Sequence, residues 1–133
     1  MTEQLAAGQT TAGIDIHRLE SEKVTRQYGL DFKLLHPWPE INAPFEGAWC
    51  VVRPGDVSQA HAHGEREILI GMSGRGGVVS GGDRLDFNAG DIVLLQADIT
   101  HSVVNTSDTD FAYYAIWWDR AMSAGYLAGE PAE

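Results

Sequence analysis

Three histidines and a glutamate carry the chemistry this sequence advertises: His61-Ala-His63, then Glu67 four residues on, and His101 further along the chain. Residues i and i+2 of an extended segment project to the same side, so His61 and His63 can clip one ion between them. A reversal at Gly64 returns the chain so that Glu67 lies beside them, and His101 on a later strand closes a set of imidazole nitrogens and one carboxylate oxygen. That mixture suits a first-row divalent ion, and an octahedral ion held this way keeps positions open for substrate, water or dioxygen. His17 and His36 have no such partners and read as ordinary histidines.

Such side chains need strands to hold them, and the sequence supplies the pattern. Short apolar runs punctuated by glycine recur about every ten residues: 48–52, 67–72, 77–79, 84–87, 92–95, 102–105 and 111–118. The spacing predicts an all-β sandwich or small barrel. Ser80-Gly81-Gly82-Asp83 predicts a tight hairpin, because consecutive glycines accept positive φ. Residues 14–46 read as one or two edge strands and loops, with Leu30, Phe32 and Leu34 alternating and Pro37, Pro39 and Pro44 breaking the pattern. Residues 1–13 have little to bury and read as a flexible arm. Residues 119–128 predict a short terminal helix, and 129–133 a frayed end.

Composition sets the limits. The 133 residues make one domain's worth of chain, with 44% hydrophobic and 21% charged residues, which excludes disordered and fibrous classes. Nine basic against 19 acidic residues give a net charge of −10, a field that repels nucleic acid and anionic lipid. No long apolar run or basic leader stands at the N-terminus, so the expected location is cytoplasmic. The lone Cys50 sits in a strand pattern and reads as a buried thiol.

The intervals around the histidines resemble those of the cupin superfamily. Its first motif is glycine, five residues, His-x-His, three or four residues, Glu, six residues, glycine; Gly55, His61, His63, Glu67 and Gly74 meet every fixed position. In the second motif Gly90, His101 and Asn105 match, while Gln96 and Asp98 replace the usual proline and glycine. Asp tolerates left-handed φ, so Asp98 can stand in for the glycine. The resemblance covers about 47–119. It implies a single cupin domain over 14–133, a jelly-roll barrel (double-stranded β-helix) with one divalent ion, Zn, Fe, Mn or Ni, bound by His61, His63, Glu67 and His101. Gly55, Gly74 and Gly90 would then serve turns, and Asn105 would fix nearby backbone.

Around that ion the expected substrate contacts are Trp49, Arg53, Tyr113 and Trp117. Alternation puts Tyr113, Ala115 and Trp117 on one face of their strand and Tyr114, Ile116 and Trp118 on the other, without saying which faces inward. Arg53 either faces inward, paired with a substrate carboxylate or Glu67, or lies in solvent. Glu65 is either a turn residue or an acid/base group.

Three functions follow as expectations. One is a metal-dependent enzyme acting on a small polar, amino-acid-like or carboxylate substrate. Within the superfamily, the run 47–55 and the run 115–119 resemble the cupin portion of bacterial hydrazine synthetases, which join two amino acids through a nitrogen–nitrogen bond in biosynthesis. That likeness implies a separate activating enzyme, because those proteins carry a methionyl-tRNA-synthetase-like domain that this sequence lacks. The second is a mononuclear non-haem iron dioxygenase, and the third a non-enzymatic ligand-binding module. The superfamily also implies a homodimer, with 14–36 at the shared edge.

Overall fold

The computed structural model describes residues 8–11, 13–18, 24–38, 41 and 43–129. The strands are β1 (Gly8–Thr11), β2 (Ile14–His17), β3 (Thr25–Gln27), β4 (Leu30–Leu34), β5 (Glu46–Val52), β6 (Arg66–Ser73), β7 (Arg75–Ser80), β8 (Asp83–Asn88), β9 (Ile92–Leu95), β10 (Ser102–Val104) and β11 (Phe111–Trp118). One helix, α1 (Arg120–Gly129), follows. All pairings are antiparallel. A six-stranded sheet runs β3-β4-β5-β11-β6-β9 and a three-stranded sheet β10-β7-β8, so the fold is all-β, two sheets closing on one core.

Alternation decides which side chains fill that core. On β5 and β11 every second residue is buried: Ala48, Cys50 and Val52 on one, Phe111, Tyr113 and Ala115 on the other. Phe87 meets Phe111 edge-on, ring centres 5.0 Å apart, and Tyr113 lies 5.7 Å from Phe111. Fully buried rings of this size stabilise by about 1.5–3 kcal/mol each. The hairpin at 80–83 forms as the sequence predicts, with Gly81 at φ 58° and Gly82 at φ 86° in a two-residue type I′ connection.

Within the stretch read as an arm, Gly8–Thr11 pairs with Ile14–His17 in a two-stranded sheet, because backbone N–H and carbonyl groups find partners there. The remainder of that arm, 1–7, and the tail 130–133 lie outside the described residues. Over 14–46 the structure forms β2, β3 and β4, one strand more than the sequence suggests. Helix α1 starts where Asp119 Oδ1 accepts the Met122 N–H at 2.7 Å, an N-cap. Among the described residues no helix is long and apolar enough to cross a membrane.

Candidate metal centre

The His-x-His segment is not part of a continuous strand. It is an extended link tied to the third histidine by one antiparallel bridge: the His61 N–H donates to the His101 carbonyl at 3.1 Å, and the reverse bond measures 3.0 Å. The Asp98 N–H bonds the His63 carbonyl at 2.7 Å, so the turn before His101 is fastened to the first motif. Asp98 takes φ 65°, the left-handed conformation expected of a residue standing in for glycine. Gln96, in the proline position, accepts from Arg66 Nε at 3.3 Å. Gly55, Gly74 and Gly90 all occupy turns at positive φ. Asn105, 1% exposed, donates through Nδ2 to the Val52 and Thr109 carbonyls and accepts from Ser107. It fastens the end of β5 to the loop after β10, a backbone role.

The ligand atoms of His61, His63 and His101 all lie within 4.8 Å of one another, close enough to hold a metal ion. Each ring is oriented by a carbonyl two residues away: Nδ1 of His61 faces Gln59 O at 2.9 Å, that of His63 faces Glu65 O at 3.1 Å, and that of His101 faces Ile99 O at 2.9 Å. A carbonyl only accepts, so each Nδ1 carries the proton and each neutral ring presents the Nε2 lone pair. Glu67, buried on β6, brings Oε1 to 3.2 Å from His63 Nε2 and 3.4 Å from His101 Nε2. Lone pairs crowded this closely repel unless a positive charge sits among them. A proton supplies it in part: burial pulls the His101 imidazolium down, but the Glu67 hydrogen bond and the Ile99 carbonyl outweigh burial, and the group titrates above its ordinary value. A divalent cation supplies it for every donor at once, so the donor set fits a metal.

The cluster opens into a cavity of about 650 Å³. Tyr113, Ala115 and Trp117 form the inward face of β11 there, which settles the alternation. Cys50 stands across from Tyr113 in the wall. Burial pushes its thiol up to about 12, and burial likewise keeps the Tyr113 phenol neutral. Glu65 lines the cavity, with Oε1 3.3 Å from His63 Nδ1.

Two expected contacts fall outside this cavity. Arg53 follows the end of β5 with 56% of its side chain exposed, and it grips Asp31 through Nε at 2.9 Å and Nη2 at 3.1 Å. A guanidinium leaves water only where a partner compensates, and Asp31 provides that partner at the surface. Trp49 points from the opposite face of β5, edge-on to Tyr114 at 5.8 Å, into an outer cleft with Lys33 and Trp38. The other histidines are also placed elsewhere: His36 pairs with Glu46 at 2.8 Å and His17 stacks on Trp38 at 3.6 Å. Sequence reading missed Gln27, Tyr28, Phe32 and Gln59 in the metal cavity's wall. The alternation of Leu30, Phe32 and Leu34 was the available signal, since all three line that cavity.

A two-sheet barrel carrying convergent imidazoles defines a cupin, and comparison agrees. The family model described as "Cupin domain" matches residues 48–117, and this chain belongs to that family. A Cupin 2 conserved barrel domain protein from Salinispora arenicola CNS-205 superposes with a TM-score of 0.85 at 44% identity, over 89% of this chain and 99% of that one. The plu4264 protein from Photorhabdus luminescens gives 0.81 at 34% identity, over 85% and 94%. A Thermotoga maritima protein described as a predicted oxalate decarboxylase gives 0.60 at 25%, over 67% and 79%. No curated protein matches the sequence.

Proposed function

We propose that this chain is a metal-dependent cupin enzyme acting on a small, largely apolar molecule that meets the metal through its own oxygen atoms. The observation that carries this reading is the convergence of His61, His63 and His101 at one side of a roomy cavity walled by Leu30, Phe32, Leu69, Val103 and Trp117. Sites of this volume and character bury small molecules, with few polar groups fixing orientation. The charged residues among the described lining are Glu65 and Glu67, both acidic. With Arg53 outside, a free amino acid or dicarboxylate would have no cationic side chain to hold it. The amino-acid-like substrate therefore gives way to one bound by apolar contact and chelation. Nitrogen–nitrogen bond formation, which needs two amino acids side by side, loses support for the same reason.

The residues present would hold the ion through three Nε2 atoms, with Glu67 as the oxygen donor. A divalent ion bound there supplies a Lewis acid for a substrate oxygen and, if it is iron, a place for dioxygen. Trp117 and Phe32 orient the apolar body of the substrate and exclude water from it. Glu65, beside His63 and facing the cavity, is placed to hold a proton taken from substrate. The neutral pair Cys50 and Tyr113 keeps the deep wall free of charge.

Metal content of protein purified without chelator, followed by turnover assays, tests the reading. We expect stoichiometric metal and activity on apolar enols or catechols, with none on amino acids. Protein without metal, or active on amino acids alone, overturns it. Oxygen uptake with iron bound identifies a dioxygenase, and zinc without uptake identifies redox-neutral chemistry.

A further inference from the structure

We propose that Tyr28 is a specificity-determining residue of the metal cavity, held at its mouth in a disfavoured backbone conformation so that its ring packs on the flat, apolar part of the substrate. This rests on reading that cavity as the substrate site.

Two hairpins in the fold turn through two residues with nearly the same backbone. In β7–β8 the pair is Gly81 and Gly82, at φ 58° and 86°. In β3–β4 it is Tyr28 and Gly29, at φ 59° and 80°. Such turns need positive φ at both positions and are ordinarily filled by Asn, Asp or Gly; a bulky aromatic residue there is strained. Gly29 is required twice over, because a side chain in its place would also collide with the Val57 carbonyl. Tyr28 has no comparable local reason. Its residue is 54% exposed, its hydroxyl has no hydrogen bond among the described residues, and its ring lies tilted 6.0 Å from Phe32. So little burial is a poor return for a left-handed tyrosine.

What the conformation does achieve is placement. The Gln59 N–H donates to the Tyr28 carbonyl at 2.7 Å, and the Gln59 carbonyl faces His61 Nδ1 at 2.9 Å. One residue thus links the backbone of Tyr28 to an imidazole of the candidate metal set. Tyr28 and Phe32 line the cavity together as an aromatic rim. Strained backbone that serves no packing purpose collects at ligand sites, where the surroundings hold it. A rim ring on a pinned turn selects for flat ligands, since its contact is made only with a substrate that extends out from the metal.

The test uses the full chain loaded with cobalt(II), whose visible spectrum reports ligand exchange, and two bidentate oxygen chelators: tropolone, which carries a flat ring, and acetohydroxamate, which does not. Tyr28→Asn, a residue suited to the turn, should weaken tropolone by about three- to tenfold, the range of an aromatic contact. Acetohydroxamate should change less than twofold, and the melting temperature should equal or exceed that of wild type. Tyr28→Phe should bind both as wild type does. Equal weakening of both chelators, no weakening of either, or a melting temperature several degrees lower in Tyr28→Asn overturns the role of Tyr28 and leaves the cavity reading intact. Wild-type protein that takes no cobalt, or whose cobalt responds to neither chelator, overturns the cavity reading and this proposal with it.

Discussion

Nε2 of His101 lies 3.4 Å from Oε1 of Glu67, an imidazole and a carboxylate that are both buried. Burial opposes the protonated imidazole, but Glu67 and the Ile99 carbonyl favour it more strongly, so the imidazolium titrates above its ordinary value. The raised value means that this pair stabilises the metal-free fold fully below the ordinary histidine range, and that its contribution is lost as pH rises through the raised value. A metal must displace the same proton. Metal uptake should therefore release protons at pH values below the raised value, where apparent affinity should fall by about tenfold per pH unit. Calorimetric titration of zinc in buffers of different ionisation enthalpy measures the release. A buffer-independent heat would contradict it.

The candidate metal histidines differ in burial, and their variants should differ accordingly. His61 is exposed, His63 half-buried and His101 buried. His61→Ala should lose stoichiometric metal with stability within about 0.5 kcal/mol of wild type, as surface changes do. His101→Ala should lose metal too, and cost about 1–3 kcal/mol, because Glu67 is left buried with one imidazole fewer. Metal analysis and urea unfolding of the metal-free proteins check both statements. Retained metal in either variant would remove that residue from the ligand set.

Much of this centre was legible in sequence because cupin spacing fixes backbone reversals as well as donors. Asp98 shows the logic: a residue tolerant of left-handed φ stands where the glycine would be, and the structure gives it φ 65°. The face of β11 was not legible, since Tyr113-Ala115-Trp117 and Tyr114-Ile116-Trp118 are equally apolar, and only pairing with β5 and β6 decides between them. Arg53 was ambiguous for a related reason. Its partner, Asp31, lies 22 residues earlier in the chain, on a strand whose register the sequence does not specify. Tyr28 left no motif at all, because its position depends on a turn conformation that propensity argues against.

Cys50 and Tyr113, facing each other across β5 and β11, should make the fold sensitive to alkali. Burial raises the thiol from 9.0 to about 12, so the unfolded chain gives up this proton first. Stability tied to the neutral thiol is complete below pH 9 and should decline by about 1.4 kcal/mol per pH unit between 9 and 12. Cys50→Ser and Cys50→Ala should both flatten the decline, since neither side chain ionises in that range. Denaturant unfolding at pH 8, 9 and 10 reads it out. The native thiol should also resist alkylating reagents at pH 8 and react only on unfolding.

Arg53 and Trp117 separate the surface from the cavity. The Arg53–Asp31 pair is bidentate but largely exposed, and exposed pairs are worth about 0–1 kcal/mol. Arg53→Ala should leave metal content and tropolone binding unchanged, and its small stability loss should shrink in high salt. Trp117 lines the metal cavity while Trp49 stands on the opposite side of the sheet. Trp117→Ala should weaken tropolone binding to the cobalt protein by about tenfold or more, consistent with loss of a large aromatic contact. Trp49→Ala should leave that binding within twofold, even though both substitutions remove an indole from the same sheet. If Trp49→Ala weakens tropolone while Trp117→Ala does not, Trp117 is no part of the wall that meets the metal-bound ligand, and the inward face of β11 does not contact substrate.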